Sequence, residues 1–178
     1  RHINISRAKY STDYPCSFMF VASMNPCPCG YYGDPTHRCV CTPGQIQRYM
    51  NKISGPLLDR IDIQCEISPV PFQDISKAAP GEPSAKIRER VIKAREVQAE
   101  RFKDYKGIHC NAQMTERMIH QFAEPDEQGI ELLRMAMEKL SLSARAYNRI
   151  LKVARTIADL AESEQIKPDH IAEAVGYR

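Results

Sequence analysis

The chain has 178 residues, of which 43% are hydrophobic and 26% charged, and its formal net charge is +3. This balance is typical of a soluble globular protein with a modest core. No window approaches 18 uninterrupted apolar residues, and the polar start RHINISRAKY lacks the apolar region of a secretory signal. The composition therefore speaks against a membrane span or a secreted protein and favours a cytoplasmic one. A start without Met indicates a processed or excised piece.

The positive charge is unevenly distributed along the chain. Residues 1–60 contain seven Lys or Arg against three Asp or Glu, and residues 86–106 contain eight against four. Such a basic excess fits contact with nucleic acid, although it is also found on ordinary solvated faces.

The first segment, INISRAKYSTDYP at residues 3–15, predicts a β-hairpin. Ile3 and Ile5 alternate with polar residues, SRAK would form the tip, and Pro15 closes the segment.

Two later segments predict strands. FMFVAS at residues 18–23 is a short apolar run of the kind buried on both faces of a parallel sheet. IDIQCEI at residues 61–67 alternates apolar and polar side chains, which predicts a strand with one covered face.

A helix with clear start signals lies between those segments. Thr42 is the expected N-cap, Pro43 stands at the first helical position, and Gln45 completes a capping box. Gly55 would end this helix, and Pro56 would open a short second one.

Composition changes at the Pro-rich residues 68–84, after which every segment has helical spacing. Ser84 and Ser143 are the expected caps of two long helices, and Pro168 stands at the start of the last. The predicted domains are residues 1–72, a linker at 73–83, and a bundle of about five helices at 84–178. The fold class is therefore α/β followed by all-α.

The densest chemical signal is CPCGYYGDPTHRCVC, at residues 27–41. Its thiols, Cys27, Cys29, Cys39 and Cys41, form two closely spaced pairs. Zinc binds four thiolates in a tetrahedron, so the spacing favours a structural zinc site that would brace the loop without catalysing a reaction. There are three alternatives: a loop of reduced thiols without a metal, a metal site in which His37 replaces one cysteine, or an iron–sulfur cluster.

Three polar residues are candidates for phosphate chemistry. Asn25 follows the predicted buried strand, where ligands of open α/β sheets gather, or it is simply a turn-forming residue. Arg60 follows PLL and either pairs with a neighbouring aspartate or points outward to a phosphate. Arg145 lies in the first turn of a long helix, where a cation opposes the helix dipole.

Three segments together resemble the competence-protein branch of the magnesium-chelatase-like AAA+ ATPases. They are FVASMNPCPCGYYGD, CTPGQIQRYMNKISGPLLDRIDI and SARAYNRILKVARTIADL, in the order of that branch. The likeness covers essentially the whole chain and implies the C-terminal part of an AAA+ core followed by a helical lid. The cysteine pairs indicate the competence branch, because the chelatase subunit itself lacks this insertion.

The resemblance implies roles for individual residues. Asn25 matches sensor 1, Arg60 the arginine finger that reaches the adjacent subunit's nucleotide, and Arg145 the sensor 2 of the lid. The hairpin resembles a pore-lining insertion, which makes Arg7 and Lys9 the candidate DNA contacts. ATP with Mg²⁺, DNA, and a homo-oligomeric ring, expected to be a hexamer, are the implied partners.

One departure from the family pattern is large. The chain contains no G-x-x-x-x-G-K-[ST] and no apolar run ending in an acidic pair, so we expect those elements upstream of Arg1. The chain alone should neither hydrolyse ATP nor bind it well. The alternatives are a zinc-braced module that binds DNA or protein without catalysis, and a chelatase-type metal-insertion motor.

Overall fold

The computed structural model describes residues 2–70 and 81–178. They belong to two compact units, Arg1–Lys52 and Ile53–Arg178. Most of the predicted linker lies outside the described residues, and the predicted domain boundaries stay a prediction.

The first unit begins with the predicted hairpin, which the structure confirms. Strand β1 spans His2–Arg7 and pairs antiparallel with β2, Tyr10–Pro15. Arg7 lies opposite Tyr10, so Ala8 and Lys9 form a two-residue tip. The side chains of both strands are exposed, and so is that of Lys9 in the tip.

The two further strands predicted from the sequence do not form among the described residues. Residues 16–25 and 59–70 lack regular hydrogen-bonded structure, and Phe18, Phe20 and Ile67 are exposed. A strand exists only through hydrogen bonds to a neighbouring strand. The described residues contain one sheet, the β1–β2 hairpin, and it offers no such neighbour.

The predicted short helices are both present. Helix α1 spans Pro43–Met50, and the capping box is complete, with Gln45 N–H donating to Thr42 Oγ1 and Thr42 N–H donating to Gln45 Oε1. Helix α2 spans Gly55–Leu58 with Ser54 at the N-cap position. The prediction that Gly55 ends the first helix is wrong, because α1 ends at Met50 with Asn51 as its C-cap and Gly55 opens α2.

Among the described residues of the second unit, five further α-helices follow residue 83, in agreement with the predicted bundle of about five. They are α3 (Ser84–Arg101), α4 (Glu116–Phe122), α5 (Glu127–Lys139), α6 (Ala144–Leu160) and α7 (Pro168–Gly176), with a short 3₁₀ helix at Asn111–Gln113.

Two of the three predicted helix starts are confirmed and one is wrong. Ser143 caps α6 by accepting a hydrogen bond from the backbone N–H of Ala146. Pro168 is the first residue of α7. Ser84, in contrast, is already inside α3, and Pro83 occupies the N-cap position without a side-chain hydrogen bond. Proline fits there because its restricted extended backbone leads into the first turn.

Helix α6 lies at the centre of the bundle and contacts α3, α4, α7 and the 3₁₀ helix, while α5 packs on α7. Its buried side chains recur at the helical period, which stabilises the bundle by removing one continuous face from water. They are Ala146, Ile150, Leu151, Ala154, Arg155, Ala158 and Asp159. Among the described residues, no helix has the combination of length and apolarity that crossing a membrane requires.

Candidate functional site

The four cysteines of the loop converge on one point. Their sulfur atoms all lie within 4.8 Å of one another. The Sγ–Sγ distance is 3.3 Å from Cys27 to Cys29, 3.7 Å from Cys27 to Cys39, and 3.5 Å from Cys29 to Cys39. A tetrahedral zinc ion with Zn–S bonds of about 2.3 Å places its sulfurs about 3.8 Å apart. The cluster is therefore close to the size that a four-thiolate metal site needs.

Backbone geometry brings the two cysteine pairs together. Gly30 and Gly33 adopt φ angles of +85° and +83°, a left-handed conformation that glycine reaches without strain. The N–H of Gly30 donates to the carbonyl of Cys27 and closes the first turn. Asp34 then accepts hydrogen bonds from the backbone N–H groups of Thr36 and His37, which fixes the return of the loop.

The surrounding backbone favours the thiolate form of Cys29. Hydrogen bonds from the backbone of Tyr31 and Val40 lower the pKa of the Cys29 thiol to about 6. Burial raises the pKa of Cys41 to about 12, assisted by its hydrogen bond to Cys29. Four thiols cannot all ionise at such short distances without a cation among them, and a bound divalent metal supplies that charge.

His37 is not part of the cluster. Its Nδ1 lies 2.9 Å from the hydroxyl of Thr36, and its ring stacks on Tyr31 with 4.9 Å between ring centroids. The described residues that can hold a metal at this point are thus the four cysteines, and the alternative with a histidine ligand is not favoured.

The residues predicted to handle phosphate are all exposed. Asn25 lies two positions before Cys27 in a segment without regular structure, so it does not follow a strand of the described residues, and its role as sensor 1 stays a prediction. Arg145 is the second residue of α6 and has no hydrogen bond or ion pair to the described residues. Lys9 lies in the hairpin tip and Arg7 is the last residue of β1 beside it; neither side chain has such a partner in the described part of the chain.

Arg60 does not form an ion pair with a described residue, although aspartates flank it. Its Nη1 donates to the backbone carbonyl of Pro56 at 2.6 Å, and its side chain is otherwise exposed. Asp59 instead accepts a hydrogen bond from Ser143, and Asp62 pairs with Arg149. The guanidinium of Arg60 keeps most of its donors available to a ligand.

Sequence reasoning did not find the contacts that tie residues 59–64 to the helices. Ser143 Oγ donates to Asp59 Oδ2 at 2.7 Å, and Arg178 Nη1 donates to the carbonyl of Ile61 at 2.8 Å. The backbone N–H of Gln64 donates to the carbonyl of Tyr177 at 3.0 Å. These partners are separated by 84 to 117 positions, and no local pattern signals such pairings.

Comparison with protein families agrees with the order of these elements. Residues 81–178 match the family model "Magnesium chelatase, subunit ChlI C-terminal", and residues 1–75 match "Magnesium chelatase, subunit ChlI". The chain belongs to the magnesium chelatase ChlI family.

Individual relatives align over nearly the whole chain. Competence protein ComM of Haemophilus influenzae is 43% identical over 177 residues, which cover 99% of this chain and 33% of ComM. YifB of Escherichia coli is 42% identical over 177 residues, covering 99% of this chain and 34% of YifB. Rv2897c of Mycobacterium tuberculosis is 35% identical over 176 residues, which cover 99% of this chain and 34% of Rv2897c. The chain thus spans about a third of the length of these relatives.

Proposed function

We propose that this chain works as the sensing and lid portion of a ring-forming AAA+ ATPase that acts on DNA. Arg60 is the finger that reaches the nucleotide of the adjacent subunit, Asn25 is sensor 1, and Arg145 is sensor 2. The observation that carries the proposal is that Arg60 and Arg145 are exposed and free of acidic partners among the described residues, within a chain of this family.

The chemistry follows from the charge that develops during phosphoryl transfer. ATP hydrolysis spreads negative charge over the γ-phosphoryl oxygens, and a guanidinium stabilises that charge through paired hydrogen bonds. Asp59 accepts a hydrogen bond from Ser143 and Asp62 pairs with Arg149, and neither aspartate forms an ion pair with Arg60. An arginine supplied in trans accelerates related reactions by about 10³ to 10⁵.

The cysteine cluster supports a structural zinc ion held by Cys27, Cys29, Cys39 and Cys41. Four thiolates complete a tetrahedron and leave no position for substrate, so the ion would brace the loop that follows Asn25. The match to a relative named a competence protein supports the competence branch over the chelatase-type alternative, and we propose DNA as the substrate of that branch.

The test of this proposal is Arg60→Ala in a protein of the relatives' full length. We expect ATP turnover to fall by about 10³-fold or more while nucleotide binding is retained, because the finger acts on the transition state of a neighbouring site. Arg88→Ala is the matched control, since Arg88 is also an exposed arginine of the second unit. Unchanged turnover, or loss of nucleotide binding, would overturn the assignment.

The 178-residue chain by itself tests the other half of the proposal. It contains no phosphate-binding loop of the G-x-x-x-x-G-K-[ST] type, so we expect no turnover above background in a phosphate-release assay. Robust hydrolysis by this chain would refute the proposal that it supplies only the sensing and lid residues of the ATPase.

A further inference from the structure

The segment that carries Arg60 is held against helices α6 and α7 by contacts on both sides of that residue. On one side, Asp59 accepts a hydrogen bond from Ser143. On the other side, Asp62 forms an ion pair with Arg149. We call these two contacts the Asp latch. Arg60 lies between its two points of attachment and is itself exposed.

The Asp latch joins α6 at the turn that carries Arg145. Ser143 is the N-cap of α6, and its hydroxyl performs two tasks at once. It accepts the N–H of Ala146 at 3.2 Å and donates to Asp59 at 2.7 Å. Arg145 follows two residues later in the first turn. A displacement of the Asp59 side of the segment therefore acts directly on the helix end that presents Arg145.

Backbone contacts extend the attachment beyond the two aspartates. Arg178 donates to the carbonyl of Ile61, and Tyr177 accepts the N–H of Gln64. Nε and Nη2 of Arg178 are buried without a hydrogen-bond partner among the described residues. Buried unpaired donors are unfavourable, so this attachment meets only part of the hydrogen-bonding capacity of Arg178.

We infer that Asp59 and Asp62 are positioning residues whose latch makes Arg60 and Arg145 move together. This inference depends on the proposed function. Under the proposed function Arg60 acts on the nucleotide of the adjacent subunit, and Arg145 is the sensor 2 arginine of the same chain. The Asp latch then links the two arginines, so that a nucleotide that displaces Arg145 also displaces Arg60, which couples the ATP sites of the ring.

A charge exchange in the full-length protein tests this inference. Asp62→Arg and Arg149→Asp each replace an attraction by a like-charge repulsion at the latch. We expect each single variant to lower kcat by about fivefold or more and to move the Hill coefficient for ATP toward 1, with a smaller change in KM. The double variant restores the ion pair and should restore cooperativity.

Two further variants separate coupling from folding. Asp59→Asn keeps the shape of the side chain but weakens the hydrogen bond to Ser143, and it should lower the Hill coefficient as well. The matched control exchanges Lys93 and Glu162, a second exposed ion pair that joins distant parts of the bundle, and should leave cooperativity unchanged. Hydrogen exchange at the backbone N–H groups of residues 58–64 should rise in the single latch variants and return to the original rate in the double variant.

The outcomes distinguish this inference from the function on which it depends. If Arg60→Ala abolishes turnover but the latch variants keep the original Hill coefficient and exchange rates, the latch is overturned and the function stands. If Arg60→Ala leaves turnover unchanged, both the proposed function of Arg60 and the coupling that depends on it are refuted. If the double exchange does not rescue the single variants, their effect is not due to the ion pair, and the inference is refuted.

Discussion

Arg101 and Asp159 form a two-point ion pair in the interior of the helical bundle. Nη1 of Arg101 lies 2.8 Å from Oδ2 of Asp159, and Nη2 lies 2.5 Å from Oδ1. Asn111 donates to the same carboxylate at 2.8 Å, and Nε of Arg155 donates to it at 3.1 Å. This single carboxylate therefore joins α3, the 3₁₀ helix and α6.

Removal of this carboxylate should destabilise the bundle strongly. Asp159→Ala leaves the guanidinium groups of Arg101 and Arg155 in the interior without their counter-charge, at a cost of about 3–5 kcal/mol in the free energy of unfolding. Urea unfolding followed by circular dichroism measures the loss. Glu131→Ala, which breaks an exposed pair with Arg134, is the control and should have a much smaller effect. Equal losses in the two variants would contradict the assignment of a buried network.

The same carboxylate makes stability depend on pH in the acid range. Burial raises the pKa of Asp159, but hydrogen bonds from Arg101 and Asn111 outweigh it and hold the pKa below its usual value. The unfolded chain then binds this proton more readily than the folded one, so the stabilisation is present above about pH 4 and is lost as pH falls through the folded pKa. We expect the unfolding free energy of Asp159→Asn to fall less steeply between pH 5 and pH 2. Parallel curves for the two proteins would rule out this contribution.

Replacement of Gly129 in α5 by alanine should destabilise the protein. A Cβ atom there would lie 2.9 Å from Cβ of Pro125 and 3.1 Å from Oδ1 of Asp126. Exposed helical glycine normally gains about 1 kcal/mol on replacement by alanine, but overpacking costs about 1–3 kcal/mol. We expect Gly129→Ala to lower the melting temperature. Gly176→Ala is the control, because no atom lies within 4 Å of its added Cβ, and a larger loss there would contradict the steric explanation.

The cysteine cluster should hold one zinc ion per chain. Elemental analysis of the purified protein measures the metal, and Cys39→Ser should lower its content because three ligands do not complete the tetrahedron. Prolonged chelation should also make residues 27–41 more susceptible to proteolysis. Cys65→Ser is the control, since Cys65 is exposed and outside the cluster. Iron in place of zinc would revise the metal, and absence of any metal would reject the site.

The hairpin tip should contribute to DNA affinity through charge alone. Arg7→Glu and Lys9→Glu in the full-length protein should weaken binding of single-stranded DNA at low salt. Each lost phosphate contact should reduce the slope of log K against log salt by about 0.7. Lys139→Glu, at the end of α5, is the control for an equal change of net charge. An unchanged salt slope in the hairpin variants would exclude the tip from the DNA interface.

Features that depend on neighbouring residues were predictable. The capping box of Thr42 and Gln45 formed because its two hydrogen bonds join residues three positions apart. The cysteine cluster formed for a similar reason, since all four thiols lie within 15 residues and two glycines permit the reversal. The hairpin around Ala8 and Lys9 followed from alternation of apolar and polar residues.

Apart from the helix start at Ser84 and the helix end at Gly55, the predictions that failed concerned strands. The apolar content of residues 18–23 and the alternation of residues 61–67 describe faces suited to a sheet, but a strand also needs a neighbour that supplies hydrogen bonds. No such neighbour exists for either segment among the described residues. Periodicity reports what a segment is able to bury and says nothing about whether a partner is present.

The amino-acid sequence by itself determined the caps of α1 and α6, the hairpin and the grouping of the four thiols, because short-range hydrogen bonds and side-chain spacing decide them. Only the tertiary structure decided that Asp59 binds Ser143 and that Asp62 pairs with Arg149, which leaves Arg60 without an acidic partner in the described part of the chain. Those residues are 84 and 87 positions apart, and the packing of the bundle alone brings them within hydrogen-bonding distance.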